Sequence, residues 1–154
     1  MISRLLAYII LALTLCIFST LVITNVSDKI GKYEQAMKEF GLNEEKALWM
    51  YKVDWDNASF STYASYRDKL IKEGINLWEE NILLLEKIKN DDYDEQHVQL
   101  IDLLIDYSML RKKSCEIIIE SLDEDSPENF QKIEDIHKQI ENKIKEIKDF
   151  KMNM

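Results

Sequence analysis

From Leu5 to Val26 the chain reads LLAYIILALTLCIFSTLVITNV without a charged residue, and that run constrains every architecture open to the rest. About twenty helical residues rise roughly 30 Å, the thickness of a bilayer's hydrocarbon core. Thr14, Ser19 and Thr20 fit such a rod because their hydroxyls bond back to the helix backbone. Residues 1–27 are therefore expected to form an N-terminal transmembrane anchor that meets the membrane through 5–26.

A cleaved secretory signal is the competing reading, and Arg4 supplies its basic start. The apolar run exceeds the roughly 7–15 residues of such signals. Val22 and Thr24, flanking Ile23, make a poor cleavage site, and Leu15 before Cys16 is too large for a lipoprotein site. The α-amine and Arg4 on one side are balanced by Lys29, Lys32 and Lys38 on the other, so the positive-inside rule gives no orientation. A very short N-terminal tail more commonly stays inside. The expected product is a single-pass membrane protein with residues 28–154 extracytoplasmic.

The soluble part has the composition of helices. The whole chain of 154 residues contains three glycines and one proline. So few breakers among abundant Leu, Ile, Glu and Lys favour helix over sheet. The length suits one core. Acidity follows the same division: Arg4 is the only basic residue before Asp28, so removing it from the 20 leaves 19 bases against 29 acids, a net of −10. Such a surface repels phosphate backbones, which argues against nucleic acid as a partner. Cys16 lies in the apolar run and Cys115 on an apolar helical position, which predicts a small core residue at Cys115.

Periodicity gives the elements. Ile30, Tyr33, Met37 and Phe40 mark a short amphipathic helix, with Gly41 as its expected stop and Asn43 as the N-cap of the next segment. Leu48, Tyr51, Trp55 and Ala58 form a second short stripe. A long helix is predicted from about Phe60 to Lys89, its apolar face wide enough for more than one neighbour. Asn90-Asp91-Asp92 ends it, and Asp92 with Glu95 reads as a capping box. The next helix, near Asp94 to Leu122, has the broadest stripe and is expected to be the most enclosed. Ser126-Pro127 is the clearest start signal, and Ile133, Ile136, Ile140, Ile144 and Ile147 carry the last helix to about Phe150. The predicted fold is all-α: a transmembrane helix over 1–27, then an antiparallel up-down bundle over 28–154 with the two short segments sharing one column.

Few residues invite chemistry. Glu134-x-x-His137 has the spacing by which helical di-iron proteins place a carboxylate and an imidazole on one metal. The only near copy, Asp94-x-x-His97, falls about 21 Å away along an antiparallel pair, so no dinuclear site is expected. Asp54, Asp56, Asp123, Glu124 and Asp125 gather at one predicted end of the bundle, without the glycine and spacing of a calcium loop. Asn25-Val26-Ser27 and Asn57-Ala58-Ser59 match the short glycosylation pattern. Trp49, Trp55 and Trp78, with Tyr51, Tyr63 and Tyr66, concentrate aromatics between residues 49 and 78. Core packing accounts for such a cluster, and a binding surface is the functional alternative. No serine, cysteine or glycine-rich motif points to nucleophilic or phosphoryl chemistry, so neither catalysis nor a cofactor is expected. The function expected is that of a membrane-anchored, non-enzymatic module that binds another protein, as an accessory or assembly subunit of an envelope complex or as an inhibitor. A small-ligand or metal-binding domain is the alternative.

Overall fold

The computed structural model describes residues 28–49, 60–123 and 127–154, and the expected anchor over 1–27 lies outside them. Among the described residues no helix is long and apolar enough to cross a membrane. The chain divides into two compact units, 1–35 and 36–154. Every regular element among the described residues is helical: α1 over 28–47, α2 Phe60–Lys69, a π-helical stretch Leu70–Ile75, α3 Asn76–Lys89, α4 Glu95–Asp123 and α5 Pro127–Asn153. Because α2, the π stretch and α3 follow one another without a break, four helical columns pack together.

Ion pairs between columns fix their directions. Arg67 meets Asp123, Glu79 meets Lys112 and Lys89 meets Asp102, so numbers rise along one helix as they fall along the other. Lys132–Glu120 and Lys143–Asp106 give α5 the same antiparallel relation to α4. Asn43 of α1 bonds to Asn81, and Trp49, two residues past the end of α1, stacks on Tyr66, so this column also opposes the long helix. The order is up-down-up-down, as the periodicity predicted. α4 touches α2, the π stretch, α3 and α5, and reaches α1 through Tyr107 and Glu44. It is the central column.

The π stretch is a feature that periodicity alone did not disclose. Tyr66, Leu70, Gly74 and Trp78 are all buried, each four residues after the last. In an α-helix each step of four overshoots a turn by about 40°, so three would carry the buried stripe about 120° around the axis. A π turn takes in one more residue, worth about 100° of rotation, and returns most of that drift. The stripe then continues through Asn81, Leu85 and Ile88. Gly74 faces α4 so closely that a Cβ there would lie 3.1 Å from the Cys115 sulfur. Cys115 is buried as expected, and burial pushes its thiol up to about 12, so it stays protonated and inert.

Two predicted boundaries are corrected. Gly41 does not end a helix and Asn43 does not cap one, because α1 runs through both in right-handed conformation. Ala36, Phe40, Asn43 and Ala47 form one buried stripe across the glycine. That continuous contact outweighs the roughly 1 kcal/mol helix penalty of a glycine. The Asn43 amide, instead of capping, donates to Asn81 Oδ1 at 3.1 Å, and the Asn81 amide donates to the Phe40 carbonyl at 3.3 Å. At the start of α4 the cap is Asp94 rather than Asp92. Its Oδ1 accepts the His97 backbone N–H at 2.9 Å while its carbonyl accepts from Val98.

Two outcomes check this packing. Gly74→Leu should destabilise the chain by about 2 kcal/mol through overpacking, and adding Cys115→Ala should give a double variant more stable than Gly74→Leu alone in thermal unfolding followed by circular dichroism. Asn81→Leu should cost about 2 kcal/mol because it leaves the buried Asn43 amide unsatisfied, whereas Asn43→Leu with Asn81→Leu should cost less than the single change.

Candidate functional site

The buried stripe of α3 runs through Trp78, Asn81, Leu85 and Ile88, which turns Leu83 outward. An outward helical position normally carries a polar residue. Leu83 is nevertheless large and apolar, with 65% of its surface exposed, and Met109 on α4 is 49% exposed. Together with Ile82 they line a groove of about 640 Å³ between α3 and α4. Its remaining lining is charged: Glu79 from α3, and Lys112, Lys113 and Glu116 from α4. Lys112 donates to Glu79 Oε1 at 2.6 Å and lies 3.9 Å from Glu116. The hydrogen bond to Glu79 holds the Lys112 ammonium above its ordinary value. An apolar centre between rims of both signs has the composition of a protein-docking surface.

The signal for this groove was in the sequence, though not in its stripes. Leu83 and Met109 are the large apolar residues left over once the inward faces of α3 and α4 are assigned. They carry no motif, and only the antiparallel register brings them side by side.

The aromatic cluster divides. Trp49 stacks edge-to-face on Tyr66 with ring centroids 5.0 Å apart, and the Lys69 ammonium sits 4.1 Å above the indole. Trp78 makes a separate edge-to-face contact with Tyr107, at 5.5 Å. Trp78 is fully buried and Tyr66 nearly so, which places both in the packing between helices. Tyr63 falls on α2, and Tyr51 and Trp55 lie outside the described residues.

Glu134 and His137 both fall on α5. The Glu134 carboxylate pairs with Lys138 at 2.8 Å, one turn along. Asp94 and His97, weighed in the sequence as a metal-type pair, are the N-terminal cap of α4, with His97 Nδ1 at 2.7 Å from Asp94 Oδ1. Among the described residues no group of three or more His, Cys, Asp or Glu side chains is placed to hold a metal ion. Of the acidic loop residues, Asp123 is gripped by Arg67 through two 3.0 Å bonds, and Asp54, Asp56, Glu124 and Asp125 lie outside the described residues. Those bonds hold the Asp123 carboxyl below its ordinary value. Both glycosylation-type triplets also lie outside the described residues.

A polar relay that periodicity did not anticipate joins α1 to α4. The buried Tyr107 hydroxyl donates to Glu44 Oε1 at 2.6 Å and accepts from Arg111 Nε at 3.0 Å. Burial first, then the Glu44 bond, raise the Tyr107 phenol above its ordinary value, so it stays a donor. The relay fastens helices, and its phenol is protonated at any physiological pH.

No protein-family model matches the chain, and neither a curated protein nor a solved structure matches it.

His137 gives this region a pH response. Its partial burial, reinforced by the Arg111 charge and opposed by Glu141, holds the imidazole below its ordinary value. The unfolded chain therefore takes up a proton at about pH 6.5, where the folded chain resists. The stability His137 contributes is present above that pH and is lost as pH falls toward the lower folded value. Between pH 7.5 and 5.5 the melting temperature should fall more in the parent than in His137→Gln, read by circular dichroism at matched ionic strength.

Proposed function

We propose that this chain is a membrane-anchored, non-enzymatic helical bundle that docks protein through the groove between α3 and α4. The observation that carries the reading is the pair of exposed apolar side chains, Leu83 and Met109, on facing helices around a groove of about 640 Å³. Scattered surface apolar residues need no explanation, but two converging in one concavity create a desolvated centre that a partner side chain can fill. The charged rim supplies orientation rather than strength, because exposed ion pairs contribute about 0–1 kcal/mol each.

The uncharged run from Leu5 to Val26 supports the anchor. On this reading the protein is single-pass, with 28–154 on the extracytoplasmic side. An accessory or assembly subunit of an envelope complex, or an inhibitor-type binder, needs no more than a tether and one recognition face. The net charge of −9 argues against nucleic acid as the target.

The test places a photo-crosslinking residue at position 83 or, as control, at position 148 on α5 of the full chain in membranes. Position 83 should yield discrete protein adducts in the membrane fraction, position 148 should not, and Met109→Asp should deplete those adducts. Equal labelling from both positions, or adducts indifferent to Met109→Asp, would sink the docking role.

A further inference from the structure

Opposite charges stand on opposite walls of the α3–α4 groove at one level. Glu79 belongs to α3 and Lys113 to α4, and the 2.6 Å bond from Lys112 to Glu79 sets positions 79 and 112–113 side by side. The apolar residues are divided in the same way, with Leu83 on α3 and Met109 on α4. Each wall therefore carries one exposed apolar side chain, and the walls differ in the sign of their net charge: Glu79 alone on α3, and Lys112 and Lys113 against Glu116 on α4.

We propose that the occupant of this groove is a second copy of the chain, related by a two-fold axis running along the groove. The inference rests on the docking role proposed above and names its partner. A two-fold interface must be complementary to itself, since every contact occurs twice. Rotation about an axis parallel to the helices exchanges the walls, laying α3 of one copy over α4 of the other. Leu83 then meets Met109 of the second copy, and Glu79 meets Lys113 of the second copy. Both contacts repeat on the other side of the axis.

A further observation favours a copy over a foreign partner. The groove's rim holds two lysines and two glutamates, so it is locally neutral on a chain of net charge −9. A strongly acidic or basic partner gains no net attraction there, while two acidic chains approach each other with least repulsion at such a place.

The experiment uses the full chain in mild detergent, with mass determined by sedimentation over a concentration series. Lys113→Glu places glutamates against glutamates in a homodimer, and Glu79→Lys places lysines against lysines. Each change should weaken self-association by about tenfold, the sum of two exposed pairs turned from attraction to repulsion. An equimolar mixture should recover dimers, because Glu79 of the first variant then faces Lys113 of the second, and position 113 of the first faces position 79 of the second with opposite charge. Circular dichroism checks that each variant is folded, and Leu83→Arg, at a side chain already exposed, provides an independent disruption. A monomeric parent at every concentration overturns the proposal, as do single variants that associate as tightly as the parent or a mixture that fails to recover. A monomeric parent that still gives adducts from position 83 to a different protein overturns the second copy and leaves the docking role standing. Loss of both removes both.

Discussion

The close approach of Gly74 to Cys115 sets how near the long helix and α4 can lie, and much of the bundle follows from that distance. With no side chain at position 74, the sulfur of Cys115 fills the space a Cβ would need. Trp78, one turn further on, can then reach Tyr107 across the same seam. The π stretch makes the approach possible, because it keeps Tyr66, Leu70, Gly74 and Trp78 on a common face. Without the extra residue in that turn, Tyr66 and Trp78 would point about a third of a turn apart. A π turn and a glycine each weaken an isolated helix. Packing against α4 offsets both.

α1 is held in a different way. Its buried stripe includes two alanines and an asparagine, so it brings less apolar area to the core than α3 or α4. Directional bonds supplement it: Asn43 and the Phe40 carbonyl to Asn81, and Glu44 to Tyr107. Buried amides paired across two helices disfavour sliding, since a one-turn slip would break the Asn43–Asn81 bond and the bond from Asn81 to the Phe40 carbonyl together. The first column is thus fixed in register more by polar geometry than by oil. The column that follows the apolar run is the one whose docking depends most on specific partners.

The groove lies between α3 and α4, which pack directly against each other. Trp78 and Leu85 anchor α3 from beneath, and Leu104, Ile105 and Tyr107 anchor α4. Leu83 and Met109 therefore project from supported positions, and little order is lost when something covers them. Trp78 and Tyr66 are consumed in packing, and Trp49 is occupied by Tyr66 and Lys69. Of the histidines, His97 belongs to the cap of α4 and His137 lies on the half-buried side of α5.

Much of this protein was legible in its residues. The scarcity of breakers and the 3-4 spacing of Leu and Ile determined that it is helical, that long helices span about 60–89, 94–122 and 127–150, each within a few residues of its observed bounds, and that α4 is the most enclosed, because those features depend on local propensity and on which face is apolar. The uncharged run over 5–26 is equally a property of the sequence alone. Other features depend on distant partners. Gly41 reads as a stop until Asn81, thirty-eight residues beyond Asn43, draws the helix through it. Asp92 reads as the cap of the next helix until Asp94, two residues on, accepts the His97 backbone N–H. Leu83 and Met109 belong to none of the apolar stripes, and only the antiparallel register sets them across one groove. Periodicity reports which way a side chain points, and only the assembled bundle decides what it meets there.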